Sequence, residues 1–381
     1  MAIDLELKGI VARALAAPRA LSLRDLARLV SLADPAARDF VRRAACDLKR
    51  RVSGRRVSLR GLIEIGNICA KDCFYCGIRR SNNALRRYRL ATDDIVRLAA
   101  FAAENDYGSL VLQGGEIESE ANTAFIEDVL RRLAPFGLGV TLSLGEQTEE
   151  VYRRWHAAGA ARYLLRIETS NPELYARLHP TDHSWARRVE CLRALRRTGY
   201  QVGTGVMCAL PGQTADDLAR DIAFFGELDV DMIGMGPYIP HPDTPLADVG
   251  YSPYQPPTPA ERLDLGLSLI AATRLYLHDV NIASTTALQA LAPDGREQGL
   301  LAGANVIMPN LTDPCHRHDY QLYAGKPALD ETAEESRAAL VRSLAAIGEE
   351  INWGQRGDSP HFAARLCYNS RKSKEGNHGL E

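Results

Sequence analysis

The sequence predicts an α/β protein built on a (β/α)8 barrel of the TIM type, with an N-terminal helical extension and a short C-terminal segment. From about residue 57, short apolar runs alternate with segments of helical periodicity, and eight such runs can be counted. Most of these runs end in polar residues, which a barrel would gather on one face. The 381 residues are 46% hydrophobic and 25% charged, so the chain can bury a large core.

Strands and helices of the barrel alternate within residues 51–330. The predicted strands lie at residues 57–65, 109–113, 139–144, 162–167, 201–207, 232–236, 281–284 and 305–308. The predicted helices between them lie at residues 93–105, 123–135, 148–158, 184–198, 214–228, 261–277 and 295–302. The stretch 237–259 contains eight prolines and is too long for a simple turn, so we expect it to belong to a site.

The two ends of the chain are predicted to flank the barrel. Residues 1–50 form the helical extension, with helices at 23–32 and 35–49. Residues 331–381 form a final amphipathic helix at 331–345, and we expect a poorly ordered tail beyond Ile351.

Three cysteines follow the first strand, with three and then two residues between them: Cys69, Cys73 and Cys76. Their neighbours, including Gly66 and Gly77, indicate a loop, which argues against a helix that buries the three side chains on one face. A structural zinc site would need a fourth ligand, and no further cysteine or histidine lies nearby. Iron–sulfur clusters are held by thiolates, and three ligands leave one iron of a cubane open. The spacing therefore predicts an iron–sulfur loop.

Polar groups at the ends of strands two and four are candidates for a ligand site. Gly114 and Gly115 allow a ligand to approach the backbone closely, and Glu116 is then placed to meet an amino group. Arg166 and Glu168 share one face of strand four because they are two residues apart. They could bind a ligand's carboxylate and its ribose or amino group, or they could form an ion pair inside the barrel.

Other candidate residues each allow two interpretations, one functional and one structural. Arg188 could serve a ligand carboxylate or be a surface charge, and Thr285 and Thr286 could line the barrel mouth or serve strand packing alone. His241 could anchor its loop or contact substrate. Cys315 lies beside two histidines but lacks the second cysteine pair that a zinc site requires, so we do not expect a metal there.

Composition excludes several classes of function. A formal net charge of −2 gives no electrostatic case for nucleic acid, and the short basic segment 49–56 is expected to be solvated surface. No apolar stretch is long enough to span a bilayer, and no signal peptide is evident, so we expect no membrane contact. Eight cysteines in so long a chain do not make a disulfide scaffold, which favours the reducing cytoplasm.

With these motifs, the chain resembles the FeFe-hydrogenase maturase HydE family. Members of this family are radical S-adenosylmethionine (SAM) enzymes of the biotin synthase-like superfamily. The cysteine spacing, with Tyr75 just before the last cysteine, is the radical SAM signature. The resemblance extends from about residue 55 to about 327. Its longest runs are residues 236–246, Gly-Pro-Tyr-Ile-Pro-His-Pro-Asp-Thr-Pro-Leu, and 303–312, Gly-Ala-Asn-Val-Ile-Met-Pro-Asn-Leu-Thr.

The resemblance implies one 4Fe–4S cluster and SAM, which is cleaved reductively to a 5′-deoxyadenosyl radical. It implies that this radical acts on a cysteine-bound iron carbonyl/cyanide species, a precursor of the hydrogenase diiron centre. Carried over residue by residue, the cluster ligands are Cys69, Cys73 and Cys76. SAM would be surrounded by Tyr75, Gly114, Gly115, Glu116, Ser143, Arg166, Glu168, Arg188 and Met232. The substrate cavity would be lined by Thr285, Thr286, Met308 and Tyr323.

The sequence departs from the family pattern at four positions. The family has Ser where this chain has Gly66 and Gly114, Asp where it has Ile117, and His where it has Ile167. These changes leave the exact substrate open. Some members carry a second cluster on a C-terminal cysteine triplet, but that region contains only two cysteines here, so the sequence predicts one cluster.

Two other functions compete with the maturase. The first is a radical SAM relative that acts on an ordinary organic substrate, as a methylornithine-synthase-type mutase does. The hypothesis of a biotin synthase is less well supported, because such an enzyme would use more cysteines inside the barrel. The second is an iron–sulfur carrier, which would need no SAM pocket. The expected partners are a small-molecule or organometallic substrate, an external electron donor and other hydrogenase maturases.

Overall fold

The barrel is the central feature of the computed structural model, which describes residues 3–249 and 256–377. The strands of these residues are β1 (Arg56–Gly66), β2 (Ser109–Gly114), β3 (Gly139–Ser143), β4 (Ala160–Leu164), β5 (Gln201–Thr204), β6 (Met207–Cys208), β7 (Met232–Gly234), β8 (Gly236–Pro237), β9 (Asn281–Ala283), β10 (Val306–Ile307) and β11 (Glu350–Ile351). Eight of them pair in parallel in the order β1-β2-β3-β4-β5-β7-β9-β10. Pairing of β10 with β1, Ser58 beside Val306, closes the barrel. The predicted fold class is confirmed.

Helices follow the barrel strands and cover the outside of the sheet. The helices of the described residues are α1 (Leu5–Ala16), α2 (Leu23–Val30), α3 (Pro35–Ser53), α4 (Thr92–Glu104), α5 (Glu120–Leu133), α6 (Glu149–Ala157), α7 (Pro172–Leu178), α8 (Trp185–Arg197), α9 (Ala215–Glu227), α10 (Pro245–Val249), α11 (Pro259–Leu277), α12 (Thr286–Leu291), α13 (Gly295–Leu301), α14 (Pro314–Arg317), α15 (Ala333–Ala346) and α16 (Pro360–Asn377), with a 3-10 turn at Ala134–Phe136. Among the residues so described, no helix is both long and apolar enough to cross a membrane.

Two predicted strands are interrupted at the mouth of the barrel. The predicted strand 201–207 is divided into β5 and β6, and 232–236 into β7 and β8. The two backbone segments approach each other closely at this point, since a Cβ atom on Gly205 would lie 1.8 Å from the carbonyl oxygen of Gly234. Beyond this crossing β6 and β8 form a separate parallel pair.

The N-terminal extension has three helices in the described residues, where the sequence predicted two. The helix that the sequence analysis did not predict is α1, which is capped by Asp4. Its buried residues are Leu7, Ile10, Val11 and Ala14, whose spacing places them on one face of the helix. Helix α2 begins with a capping box between Ser22 and Asp25. Helices α2 and α3 pack against α11, and α2 also packs against α9.

The C-terminal residues close the end of the barrel opposite the mouth. Strand β11 pairs in parallel with the start of β1, and residues 352–359, here called the floor segment, follow it. Arg60 Nη2 donates to the carbonyl of Gly357 at 3.2 Å, and Arg162 Nη2 donates to that of Arg356 at 2.8 Å and also pairs with Asp358. The expectation of a poorly ordered tail beyond Ile351 is therefore wrong for the floor segment and the start of α16.

Candidate active site

The cysteine loop follows β1 without helical structure, so the alternative of a core helix is wrong. Asn67 secures its start by donating from Nδ2 to the carbonyls of Arg86 at 2.8 Å and Asp319 at 2.7 Å. Arg87 donates to the carbonyls of Asn67 and Ile78 at 2.7 and 2.9 Å. These bonds fix the path of the loop by its backbone and leave the three thiols unpaired with one another.

Burial makes the three thiols poor anions on their own. It raises the pKa of Cys69, raises that of Cys73 to about 12, and raises that of Cys76 well above the ordinary value. Thiolates are the ligand form, so metal binding must supply the compensating charge. Within residues 3–249 and 256–377, no three His, Cys, Asp or Glu side chains close around a single metal ion. Thiolates of a cluster bind different irons and need not do so. The donor set therefore fits an iron–sulfur cluster.

The ends of β1 and β2 meet at the cysteine loop. A Cβ atom on Gly115 would lie 2.1 Å from the carbonyl oxygen of Ile68, so only glycine allows this contact. The backbone N–H of Glu116 then points at the Sγ of Cys69 at 3.3 Å, and the N–H of Ala70 donates to the Glu116 carbonyl at 2.7 Å. This arrangement places the Glu116 carboxylate beside the first cysteine.

A buried charge network surrounds Glu116. Its Oε2 accepts from the backbone N–H of Glu146 at 2.8 Å, and its Oε1 lies 3.1 Å from Lys71 Nζ. Glu146 pairs with Arg188 at 2.5 Å, Arg187 at 3.2 Å and Lys71 at 3.3 Å. Burial raises the pKa of Glu116. Burial acts in the same direction on Glu146, but Arg188 and Lys71 outweigh it and hold the pKa of Glu146 below its ordinary value.

Arg166 and Glu168 form the ion pair that the sequence left as one alternative, with Nη2 2.9 Å from Oε2. Glu168 has φ +66°, which turns the chain at the end of β4. Arg188 Nη1 donates to the carbonyl of Arg166 at 2.8 Å, so Arg188 is buried in the site and is not a surface charge. These contacts bring Arg166, Glu168 and Arg188 together.

Tyr75 lies in the same loop as the cysteines, just before Cys76, and is partly buried close to Glu168 and Arg188. Its hydroxyl is 3.4 Å from Nε2 of His179, and that ring stacks on Tyr175 at 3.9 Å between centroids. Burial lowers the pKa of His179 to about 3, so the ring is neutral at physiological pH. Nearby, the backbone N–H of Asp72 donates to His183 at 3.2 Å.

The predicted substrate residues form two separate groups. Thr286 Oγ1 and the hydroxyl of Tyr323 are 2.7 Å apart. Met308 packs against a buried cluster that contains Met232, and Met232 also contacts Arg60. The structure thus groups Met232 with Met308 and not with the charge network.

The remaining predicted residues lie at strand ends. Thr285 Oγ1 donates to the carbonyl of Met235 at 3.3 Å, Ser143 ends β3 beside Gln113, and Gly114 ends β2. His241 is buried, and a Cβ atom on Gly77 would lie 2.6 Å from its ring, so its contacts are those of a loop anchor.

Residues 319–326, here called the mouth strap, cross the open end of the barrel. Gln113 Nε2 donates a hydrogen bond to the hydroxyl of Tyr320 at 3.2 Å, and Lys326 forms a buried ion pair with Glu64 of β1. The carbonyl of Leu322 accepts from the N–H of Gly77 at 3.0 Å. The strap therefore joins the cysteine loop to the barrel interior.

Sequence reasoning did not assign Lys71, Glu146, His179 or the strap's Lys326 to the site. Glu146 had a signal, since it lies at the end of a predicted strand. Lys71 lies between two of the cysteines, but its partner is distant in the sequence, and the same is true of Lys326.

Comparison with known proteins identifies the family. Residues 63–225 match the Radical SAM superfamily. The sequence is 41% identical over 333 residues to the FeFe hydrogenase maturase subunit HydE of Thermotoga maritima, which covers 87% of this chain and 92% of that protein. The chain belongs to the HydE family of radical SAM enzymes. Membership in this family implies a 4Fe–4S cluster and SAM, for which the cysteine loop has the required donor set.

More distant relatives share the fold. The 3-methylornithine synthase of Methanosarcina acetivorans is 25% identical over 75% of this chain and 79% of its own length. The crystal structure of methylornithine synthase PylB superposes with a TM-score of 0.76 at 22% identity, over 91% of this chain and 98% of that one. The structure of the FeFe-hydrogenase maturase HydG from Carboxydothermus hydrogenoformans superposes with a TM-score of 0.75 at 19% identity, over 91% of this chain and 79% of that one. At these identities the two structures support the barrel fold and nothing more.

Proposed function

We propose that this HydE-family enzyme matures the FeFe-hydrogenase diiron centre by acting on a cysteine-bound iron carbonyl/cyanide precursor. Identity of 41% to the maturase subunit of T. maritima, over nearly all of that protein, carries the proposal. A cluster held by Cys69, Cys73 and Cys76 would supply, when reduced, the electron for cleavage of SAM to a 5′-deoxyadenosyl radical.

The proposed residue roles follow from the contacts in the barrel mouth. Cys69, Cys73 and Cys76 hold the cluster. Glu116 accepts from the amino group of SAM beside the first cysteine, since its backbone already touches Cys69. Arg188 supplies positive charge for the SAM carboxylate.

The other proposed SAM contacts are Tyr75, Gly114, Gly115, Ser143, Arg166 and Glu168. Met232 was predicted among them, but its contact with the Met308 group supports a place on the substrate side. Thr285, Thr286, Met308 and Tyr323 line the proposed substrate cavity. The mouth strap covers this cavity and helps to exclude water from reactive species.

We propose a single cluster. Cys315 and Cys367 are both exposed, and no third cysteine accompanies them in the described C-terminal residues. The proposed partners remain an external electron donor and other maturases, with no role for nucleic acid or membrane and a cytoplasmic location.

An organic substrate is the second candidate, because the chain is also similar to 3-methylornithine synthase over 79% of that enzyme. Methylornithine-type chemistry would use the same cluster and SAM site. The two candidates therefore differ in which substrate enters the proposed substrate cavity.

Anaerobic SAM turnover by the iron-reconstituted protein tests the proposal, with and without a synthetic cysteine-bound iron carbonyl–cyanide complex. We expect a complex-dependent adenosylated product and a new paramagnetic iron signal. Deoxyadenosine formation that ignores the complex would exclude the maturase assignment and favour an organic substrate. Cys73→Ala should abolish iron loading and turnover, whereas Cys315→Ala should retain both.

A further inference from the structure

Two buried carboxylates of the site differ in how many cations they contact. Glu146, 2% exposed, lies within ion-pair distance of Arg188, Arg187 and Lys71. Glu116, 5% exposed, has only Lys71 at that distance among the residues the structure describes. Without the Lys71 contact, Glu146 would keep Arg188 and Arg187, whereas Glu116 would keep only the field of Arg188, which lies beyond ion-pair distance. The exchangeable contact in this network is therefore the one between Lys71 and Glu116.

The two oxygens of Glu116 have different surroundings. Oε2 is fixed by the backbone N–H of Glu146 at 2.8 Å. Oε1 is buried and lies 3.1 Å from Lys71 Nζ, but it accepts no well-aligned hydrogen bond within the described part of the chain. A buried acceptor without a hydrogen bond gains free energy when a well-placed donor arrives. Oε1 thus remains open to a better donor than Lys71.

Lys71 can move without losing all of its partners. Its side chain is 17% exposed, and its ammonium lies 3.3 Å from Glu146 Oε2 as well. Lysine has a flexible four-carbon stem and three rotatable donors, so a small rotation can exchange one carboxylate for the other. Glu146 can therefore keep Lys71 when Glu116 takes another donor.

We infer that Lys71 is a positioning residue that holds Glu116 until the amino group of SAM takes over Oε1, and that Lys71 then stays with Glu146. The inference rests on the proposed placement of the SAM amino group at Glu116. It predicts antagonism, because Lys71 and the ligand's amino group compete for one oxygen. Such coupling between a residue and a ligand group is measured by a double-mutant cycle.

Calorimetric titration of the anaerobic, oxidised, cluster-loaded protein tests this, with SAM and its analogue that lacks the α-amino group. The measured quantity is the ratio of the Kd of the analogue to the Kd of SAM. We expect Lys71→Met to raise this ratio about fivefold or more over the unmodified protein. An unchanged or lower ratio would overturn the inference, because a purely structural lysine would affect both ligands equally. Lys71→Leu, which also has no donor, provides the same comparison if the Met variant loads no cluster.

Two further variants separate the inference from the function beneath it. Glu116→Gln should lower the ratio of the two Kd values towards the value expected if the protein did not recognise the amino group. If it leaves the ratio unchanged, the placement of SAM at Glu116 is wrong. If Glu116→Gln lowers the ratio but Lys71→Met does not raise it, only the exchange is wrong. Arg80→Met removes an exposed charge of the same loop that does not contact Glu116, and it should leave the ratio unchanged.

Discussion

Lys49 and Glu349 form an ion pair of 2.6 Å in which neither side chain is exposed to solvent. The two residues are 300 positions apart. They join helix α3 of the N-terminal extension to the chain just before β11. The second oxygen of Glu349 lies 3.0 Å from Arg50. Lys49 therefore contradicts the expectation that the basic segment 49–56 is solvated.

Glu349→Gln should destabilise the fold. Burial lowers the pKa of Lys49, although Glu349 acts in the opposite direction, so removing the carboxylate leaves a buried ammonium without compensation. We expect a loss of ~3 kcal/mol or more in the free energy of unfolding, measured by denaturant titration. Glu350→Gln, at the exposed neighbouring position, is the control and should change little.

Arg188→Met should weaken SAM binding. The guanidinium bridges Glu146 Oε1 and the carbonyl of Arg166, so its loss disturbs both halves of the proposed SAM site. A roughly 100-fold increase in the Kd of SAM is expected from loss of a buried charge partner. The measurement is titration of the cluster-loaded protein, with Arg193→Met, on the exposed face of α8, as the control. Unchanged affinity with an intact cluster would remove Arg188 from the site.

Asp221 should make stability fall as pH rises from about 4 to about 7. Its carboxylate accepts from the N–H and hydroxyl of Ser170 at 2.6 Å, but burial dominates and raises its pKa from 3.8 to about 7. A carboxyl with a raised folded pKa favours folding when protonated, so its contribution is present below pH 4 and is lost by about pH 7. The shift corresponds to at most ~4 kcal/mol.

Asp221→Asn should remove this dependence. The melting temperature of the variant relative to the unmodified protein should increase between pH 5 and pH 8, because only the unmodified protein pays for ionising a buried group. A difference that stays constant over this range would show that Asp221 is charged in the fold throughout.

Gly205→Ala should disrupt the barrel, and Gly234→Ala should not. The Cβ of alanine at Gly205 would meet the carbonyl oxygen of Gly234 at 1.8 Å, and backbone cannot yield as a side chain can. At Gly234 the nearest atoms are those of Leu164 at 4.0 Å, an ordinary contact. We expect a loss of ~3 kcal/mol or more for the first variant and less than ~1 kcal/mol for the second, by thermal unfolding. Equal stability of the two would contradict the crossing.

The sequence predicted the barrel because its signals are local. Alternating apolar runs and helical periodicity depend on neighbouring residues, and so does the cysteine spacing. The floor segment has no periodicity, and its order comes from contacts of Asp358 and Gly357 with residues far away in the barrel. Lys71 was missed for the same reason: its role depends on Glu116, which comes close only when β1 and β2 pair. Arg166 and Glu168 could be paired in advance because they are only two residues apart, although β4 ends at Leu164 and both residues follow it.

Within the part of the chain that the structure describes, the floor segment covers one end of the barrel. Small molecules are therefore expected to enter at the other end, where the mouth strap and the cysteine loop lie. Met308 packs with Met232, which contacts Arg60 and through it the floor segment, whereas Glu116 lies beside the cysteine loop. If the substrate rests against Met308 and SAM beside Glu116, we expect the substrate to enter before SAM and to leave after the SAM products, in a compulsory order of addition and release.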